Sequence, residues 1–344
     1  MRRLTRILAL LVWLMASAVC LPLSALADTT LKMVTWLPSQ AGPYRLLQAW
    51  ADEVHKASGG TLTIAIAPKP TSRPTQQYEL VKTGEADLAW HIPTYNAKQF
   101  PMLLAAELPF LSADAVTDSQ ALWEWYTTHI GDKEYGAAKV LTLWLPGPAQ
   151  LHSTREIKTI DDLKGMKIRV PGGLGAAMAK AIGCVPVSQP MTKLANMLQE
   201  GAIEGSLTGW RPVKRYGLES VLKYHLEAPE GALYTTPLAL LINRDQFNRL
   251  SLEHQAVLEK LSGAHAAAFL SKRSEVGRLK VRQEVEAVPG QVTHVIGAEL
   301  ARWQKQLAPL EAQWVNMANA KGYDGAALLK ALKDTIKKYA ANRS

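Results

Sequence analysis

One pattern, written twice, constrains this chain's fold more than any other feature. The segment TLTIAIAP (61–68) is an alternating strand rich in β-branched residues and stops at Pro68. A polar loop follows, then the helical run YELVKTG (78–84) and the stretch Glu85-Ala86-Asp87-Leu88-Ala89-Trp90. Downstream, MKIRVP (166–171) is a second strand closed by a proline. It leads into an alanine-rich helix, the connection Val185-Pro186-Val187, the helix KLANMLQEG (193–201), and Ala202-Ile203-Glu204-Gly205 running on to Trp210. Strand, proline, helix, glycine and acidic residue before a new strand is the signature of parallel strands joined by crossovers. Each copy therefore predicts its own small α/β sheet, and two such lobes predict a cleft between them.

The flanking segments join the lobes more than once. LALLINRDQFNRLS (238–251) gives an apolar strand, a turn and a helix start; residues 252–287 are helical in composition, and QVTHVI (291–296) reads as a short strand. Residues 298–319 form a long amphipathic helix with Trp303, Leu307, Leu310 and Trp314 near one stripe, kinked at Pro309, and a last helix spans 326–339. The expected fold is a two-lobed α/β protein, each lobe a mostly parallel sheet flanked by helices. The predicted division is 28–148 with 236–275 as the first lobe, 149–235 with 276–297 as the second, and 298–344 bracing both. Hinges are expected near 145–152 and 232–238.

The first residues predict export. Arg2, Arg3 and Arg6 precede an apolar run over 7–23, and Ala25-Leu26-Ala27 offers small residues where a signal peptidase cuts, so residues 1–27 read as a leader cleaved before Asp28. Periplasmic localisation follows. Cys20 would leave with the leader and Cys184 would remain alone, so no internal disulfide is expected. No second long apolar run is present, and the cleaved chain is not expected to be membrane-embedded. The formal charge of +9 includes the leader's three arginines. The rest is dispersed, with short basic clusters only at RPVKR (211–215) and KKYAANRS (337–344), which argues against nucleic acid as a partner.

The junction KGMKIRVPGGLGAAMAKAIG (164–183) admits two readings. A dinucleotide loop needs a third small residue where Met178 stands, and an acidic residue about twenty positions later that SQPMTKLAN (188–196) does not supply. The alternative is an anion site: Arg169 lies in a strand ending at Pro171, and the helix N-terminus after the glycines adds partial positive charge. A guanidinium fork suits a carboxylate. An Arg169 paired with an acid elsewhere in the fold is equally compatible with the spacing.

Three stretches carry a family resemblance: Glu156-Ile157-Lys158-Thr159-Ile160-Asp161-Asp162-Leu163-Lys164-Gly165-Met166-Lys167-Ile168-Arg169-Val170-Pro171, Gly183-Cys184-Val185-Pro186-Val187, and Leu198-Gln199-Glu200-Gly201-Ala202-Ile203-Glu204-Gly205. Gly59-Gly60-Thr61-Leu62-Thr63-Ile64, Thr83-Gly84-Glu85-Ala86-Asp87-Leu88 and Glu107-Leu108-Pro109-Phe110 fit the same pattern. The chain resembles the periplasmic solute-binding subunits of tripartite ATP-independent (TRAP) transporters, the dicarboxylate-binding, DctP-like type. The resemblance implies a two-lobed fold, a long bracing helix, an organic acid held by Arg169, and TRAP membrane subunits as partners.

Departures from the family pattern shape the expected ligand. Thr208 stands where members often carry Asn, and Leu207 where some carry a metal-binding Glu, so no metal or other cofactor is expected. WLPGPAQLH (144–152) lacks the second Arg of members that select acidic sugars, and the first strand ends at Trp36 where others are polar. Trp90, His91 and Tyr95 are implied to face the cleft, with Trp210 and Met191 as further candidates. One charge among aromatic walls predicts a small monocarboxylate with an apolar or aromatic body. The eight histidines form no HExxH, Ser206 sits one place early for a G-x-S-x-G elbow, and Cys184 is in an apolar setting, so no enzyme is expected. Two other uses stay open: the ligand-sensing partner of a signalling receptor, and an exported hydrolase.

Overall fold

The computed structural model describes residues 28–228 and 233–342, and the predicted leader lies outside them. Two mixed sheets organise the chain. The first has the order β2 (Leu62–Ile66), β1 (Thr29–Val34), β3 (Leu88–His91), β10 (Leu238–Asn243), β4 (Ala138–Trp144). The second runs β11 (Val292–His294), β9 (Tyr224–Glu227), β5 (Gln150–Ser153), β8 (Gly205–Thr208), β6 (Lys167–Val170), β7 (Val185–Ser188). In each sheet a single strand opposes the rest: β10 is antiparallel to both β3 and β4, and β5 to both β8 and β9. These are the strands that arrive from the other lobe. The chain enters a new lobe by reversing into the middle of its sheet.

The crossings lie side by side. Between β4 and β5 and between β9 and β10, Ala149 N–H donates to the Tyr234 carbonyl at 2.7 Å, and Thr235 Oγ1–H to the Gly147 carbonyl at 3.0 Å. Behind them one apolar core runs through both lobes, taking Leu104, Trp125 and Leu143 from the first and Ile168, Leu174 and Leu207 from the second. The C-terminal helices cover this seam. Helix Gly297–Leu307 docks on the second lobe, where Ile160 N–H donates to Glu299 Oε1 at 2.6 Å, and helix Pro309–Asn319 on the first, where Trp314 Nε1–H meets the Pro101 carbonyl at 3.0 Å. The sequence places a kink at Pro309; the structure breaks the helix at Ala308, because proline is tolerated in a first turn and not in an interior. The 24-residue helix Gly263–Glu286 packs on helix Ala115–Trp125 and reaches the second lobe at helix Trp210–Arg215. Among the described residues no helix is long and apolar enough to cross a membrane.

Candidate ligand-binding cleft

A cavity of about 390 Å³ opens between the sheets. Its inner end is set by Arg169, which β6 delivers between β7 and β8 and which is only 1% exposed. The Nε–H donates to the Gln189 carbonyl at 2.7 Å, while Nη2 is buried with no protein acceptor. Among the described residues no acid pairs with this guanidinium, so of the two arrangements the spacing allowed, the internal ion pair is not formed. Burial pulls its pKa below the usual arginine value, opposed by the nearby hydroxyls of Tyr95, Tyr234 and Tyr216. A buried cation without a counter-charge is costly unless something anionic joins it.

The first lobe faces this charge with three indoles. Trp36, just after β1, stacks on Trp90 of β3 at a ring-centroid distance of 4.4 Å, and Trp90 on Trp144 of β4 at 6.3 Å. The three indoles meet over one face of the sheet, Trp36 beyond the end of β1, Trp90 on the neighbouring β3, and Trp144 on β4 across the intervening β10. Trp144 is a residue the sequence analysis did not single out. Tyr95 lies beyond Trp90, and its hydroxyl accepts a 3.1 Å hydrogen bond from the Met191 N–H of the second lobe.

The second lobe adds Thr208, Met191 and Trp210 to the lining. Trp210 is held from behind: its Nε1–H donates to Glu227 Oε1 at 3.1 Å, and Arg282 donates to both oxygens of that carboxylate at 2.8 Å. Burial would raise the Glu227 pKa, but the Arg282 and Trp210 hydrogen bonds bring it below the usual carboxylate value. The Thr208 carbonyl accepts from His152 Nε2–H at 3.1 Å. His152 Nδ1 is then the bare nitrogen, so the 2.7 Å contact with His225 Nδ1 requires His225 to donate. Burial keeps both rings neutral, with pKa values down to about 3 and about 4. The only trio of metal-ligand type among the described residues, Glu227, Glu286 and His294, lies around Arg282, which bonds both of its acids.

Two expectations need correction. His91, implied to face the cleft, lies on the opposite side of β3. Neighbouring strand residues point to opposite faces, so Trp90 in the cleft requires His91 out of it. Its ring packs instead against Phe100 at 4.8 Å and Tyr135 at 5.9 Å, and burial drives its pKa to about 3. The helix N-terminus after the glycines is also not free for a ligand. Glu107 of the first lobe occupies it, accepting from Leu174 N–H at 2.9 Å and from the Thr94 hydroxyl. A Cβ on Gly173, whose φ is +53°, would lie 2.6 Å from that carboxylate, so the glycine admits it. Burial raises the Glu107 pKa to about 8.

Sequence reasoning also missed the cavity's outer end, where Arg45, Arg211, Lys214, Arg215 and Arg278 join the lining. RPVKR (211–215) was visible only as a short basic cluster, with no signal that it follows a cleft strand.

A family model for bacterial extracellular solute-binding proteins, family 7, matches residues 35–317. The chain belongs to that family. This family 7 protein is 29% identical to a TRAP solute-binding protein of Rhodoferax ferrireducens solved with copurified benzoate, with a TM-score of 0.87 over 92% of this chain and 100% of that one. It is also 29% identical to a TRAP periplasmic solute-binding protein of Bordetella bronchiseptica with bound (R)- and (S)-mandelate, TM-score 0.86, over 90% and 99% of the two chains. Among curated proteins, TsaT of Comamonas testosteroni, described as an outer membrane transporter protein, is 24% identical over 312 residues, 89% of this chain and 91% of that protein. The match spans both sheets and the crossings between them, so the two-lobed fold is that of the TRAP solute-binding proteins.

Proposed function

We propose that this family 7 protein captures an aromatic carboxylic acid in the periplasm and delivers it to the membrane subunits of a TRAP transporter. One observation carries the reading: Arg169 is almost fully enclosed, lacks an acidic partner, and lines the same cavity as the Trp36–Trp90–Trp144 stack. A carboxylate supplies the missing counter-charge in a bidentate pair, and an aromatic ring finds a flat apolar wall. Thr208 and the Tyr95 hydroxyl can bond the remaining lone pairs. Met191 and Trp210 close the second lobe's side of the pocket. The benzoate and mandelate held by the Rhodoferax and Bordetella proteins are acids of this class.

Transport requires the bound form to differ from the free one. The acid touches Arg169 on one lobe and the indoles on the other, so it binds the closed arrangement more tightly, and only such differential contact shifts the equilibrium. The paired crossings at Ala149 and Tyr234 are the natural hinge. The test is a thermal-shift and calorimetric titration with benzoate, mandelate, and hexanoate as an apolar but non-aromatic control. The aromatic acids should raise the melting temperature by mass action. No shift with any aromatic carboxylate, an equal response to hexanoate, or turnover of a bound acid overturns the reading.

A further inference from the structure

The outer end of the cavity carries more positive charge than the protein balances. Of its five cations, Lys214 pairs with Glu284, and Arg278 with Glu275 at 2.6 Å. Arg45, Arg211 and Arg215 have no acidic partner among the described residues. The three come from both lobes: Arg45 from the first turn of helix Gly42–Ala57, Arg211 and Arg215 from helix Trp210–Arg215. They repel one another, and the Arg211 pKa is lowered first by burial and then by the charges of Arg215 and Arg45. Helix Gly42–Ala57 compounds the excess, since it begins at Ala41 without a side-chain cap or any acid in its first turn.

Arg211 is also housed. A Cβ on Gly42 would fall 2.6 Å from Arg211 Nη2, and one on Gly277 would fall 2.8 Å from Arg211 Nε. Gly277 sits inside the 24-residue helix Gly263–Glu286, where glycine costs about 1 kcal/mol against alanine. Its lack of a side chain leaves the room that the guanidinium takes. Two helices thus make space to hold an uncompensated arginine in the lining of the cavity that also holds Arg169.

We propose that this outer cluster is a second anion subsite, and that the preferred ligand is an aromatic acid with a further anionic group on the far side of its ring. The proposal rests on the reading that Arg169 holds a carboxylate in this cavity. The inner carboxylate meets Arg169, the ring lies along the indoles, and the outer group meets Arg211 with Arg45 and Arg215 around it. Because Arg211 abuts Gly42 of the opposite lobe, an anion bound there ties the two lobes together at the mouth.

The experiment compares benzene-1,3- and benzene-1,4-dicarboxylate with 3- and 4-methylbenzoate, which keep the shape and remove the outer charge, by calorimetry at low and high salt. At least one dicarboxylate should bind tenfold or more tightly than its methyl counterpart, with the advantage shrinking as salt rises. Arg211→Met should cut that ratio at least fivefold. Gly277→Ala, which keeps the charge but displaces the guanidinium, should cut it too without lowering the melting temperature. Methylbenzoates that match or outbind both dicarboxylates overturn the subsite while leaving Arg169's role standing, as does an Arg211→Met that weakens both ligands by the same factor. If no compound binds, both readings fall.

Discussion

Replacing Arg169 with Met separates a binding role from a structural one. Methionine keeps an unbranched stem of similar bulk and removes the guanidinium. In the unliganded protein the change removes a cation that burial disfavours and whose Nη2 has no acceptor, and it leaves the Gln189 carbonyl without its 2.7 Å donor. The lost hydrogen bond costs about 1–3 kcal/mol, and relieving an unpaired buried charge returns several kcal/mol. The unliganded melting temperature should therefore hold steady or rise. In the complex, a carboxylate left without its partner loses about 2–5 kcal/mol, so affinity should fall on the order of 30-fold to several thousand-fold. Calorimetry with benzoate and a melting curve of each protein provide both readouts. Affinity unchanged within a factor of three, or a drop of more than about 5 °C in the unliganded protein, refutes the assignment of Arg169 as a free charge awaiting an anion.

Three more predictions come from the packing. His91→Phe should stabilise the protein, because neither ring nitrogen has a partner and an apolar ring fills the same place. Its pKa falls from 6.5 to about 3 on folding, so the unfolded chain binds more protons between those values. The variant's gain in melting temperature should widen as pH drops below 6.5, with aromatic-acid affinity unaltered, since the ring lies outside the cleft. Glu107→Gln tests the opposite sign. The Glu107 pKa rises from 4.5 to about 8, so its contribution is full below pH 4.5 and fades as pH climbs through 8; wild type should lose ground to the variant over that span, and a constant offset contradicts the assignment. Gly205→Ala places a methyl 2.5 Å from the His152 carbonyl oxygen and 2.9 Å from Ile168 Cδ1, where the sheet cannot yield. It should cost about 2–4 kcal/mol by denaturant unfolding, and a loss below 0.5 kcal/mol would show that β5 and β8 can part.

The parts of the site that share a motif with their own strand were readable. Arg169 and Thr208 lie at the ends of strands whose following proline and glycine mark the cleft edge, Trp90 lies in the last strand of the first copy, and Trp36 follows the chain's first strand. His91 was misplaced although the period of a strand already excluded it once Trp90 was chosen. Trp144, Arg45 and Arg211 gave no such signal, because what brings them to the cavity is the stacking of separate elements. Glu107 shows the limit most clearly. The reading assigned the helix N-terminus near Gly173 to a guest, yet a carboxylate sixty-seven positions earlier in the chain fills it. Local pattern announces helix-start N–H groups that need an acceptor; only tertiary structure says what supplies it.

The reversed strands bear on how the molecule comes to exist. β10 is wedged between β3 and β4, so the first sheet has a missing slat until residue 243 is available, long after its other members have been made. Neither half can be excised as a continuous fragment with its sheet intact. Assembly must wait for distant pieces to meet, which makes the route to the finished molecule slow and leaves the early segments open for whatever handles the chain before it is whole.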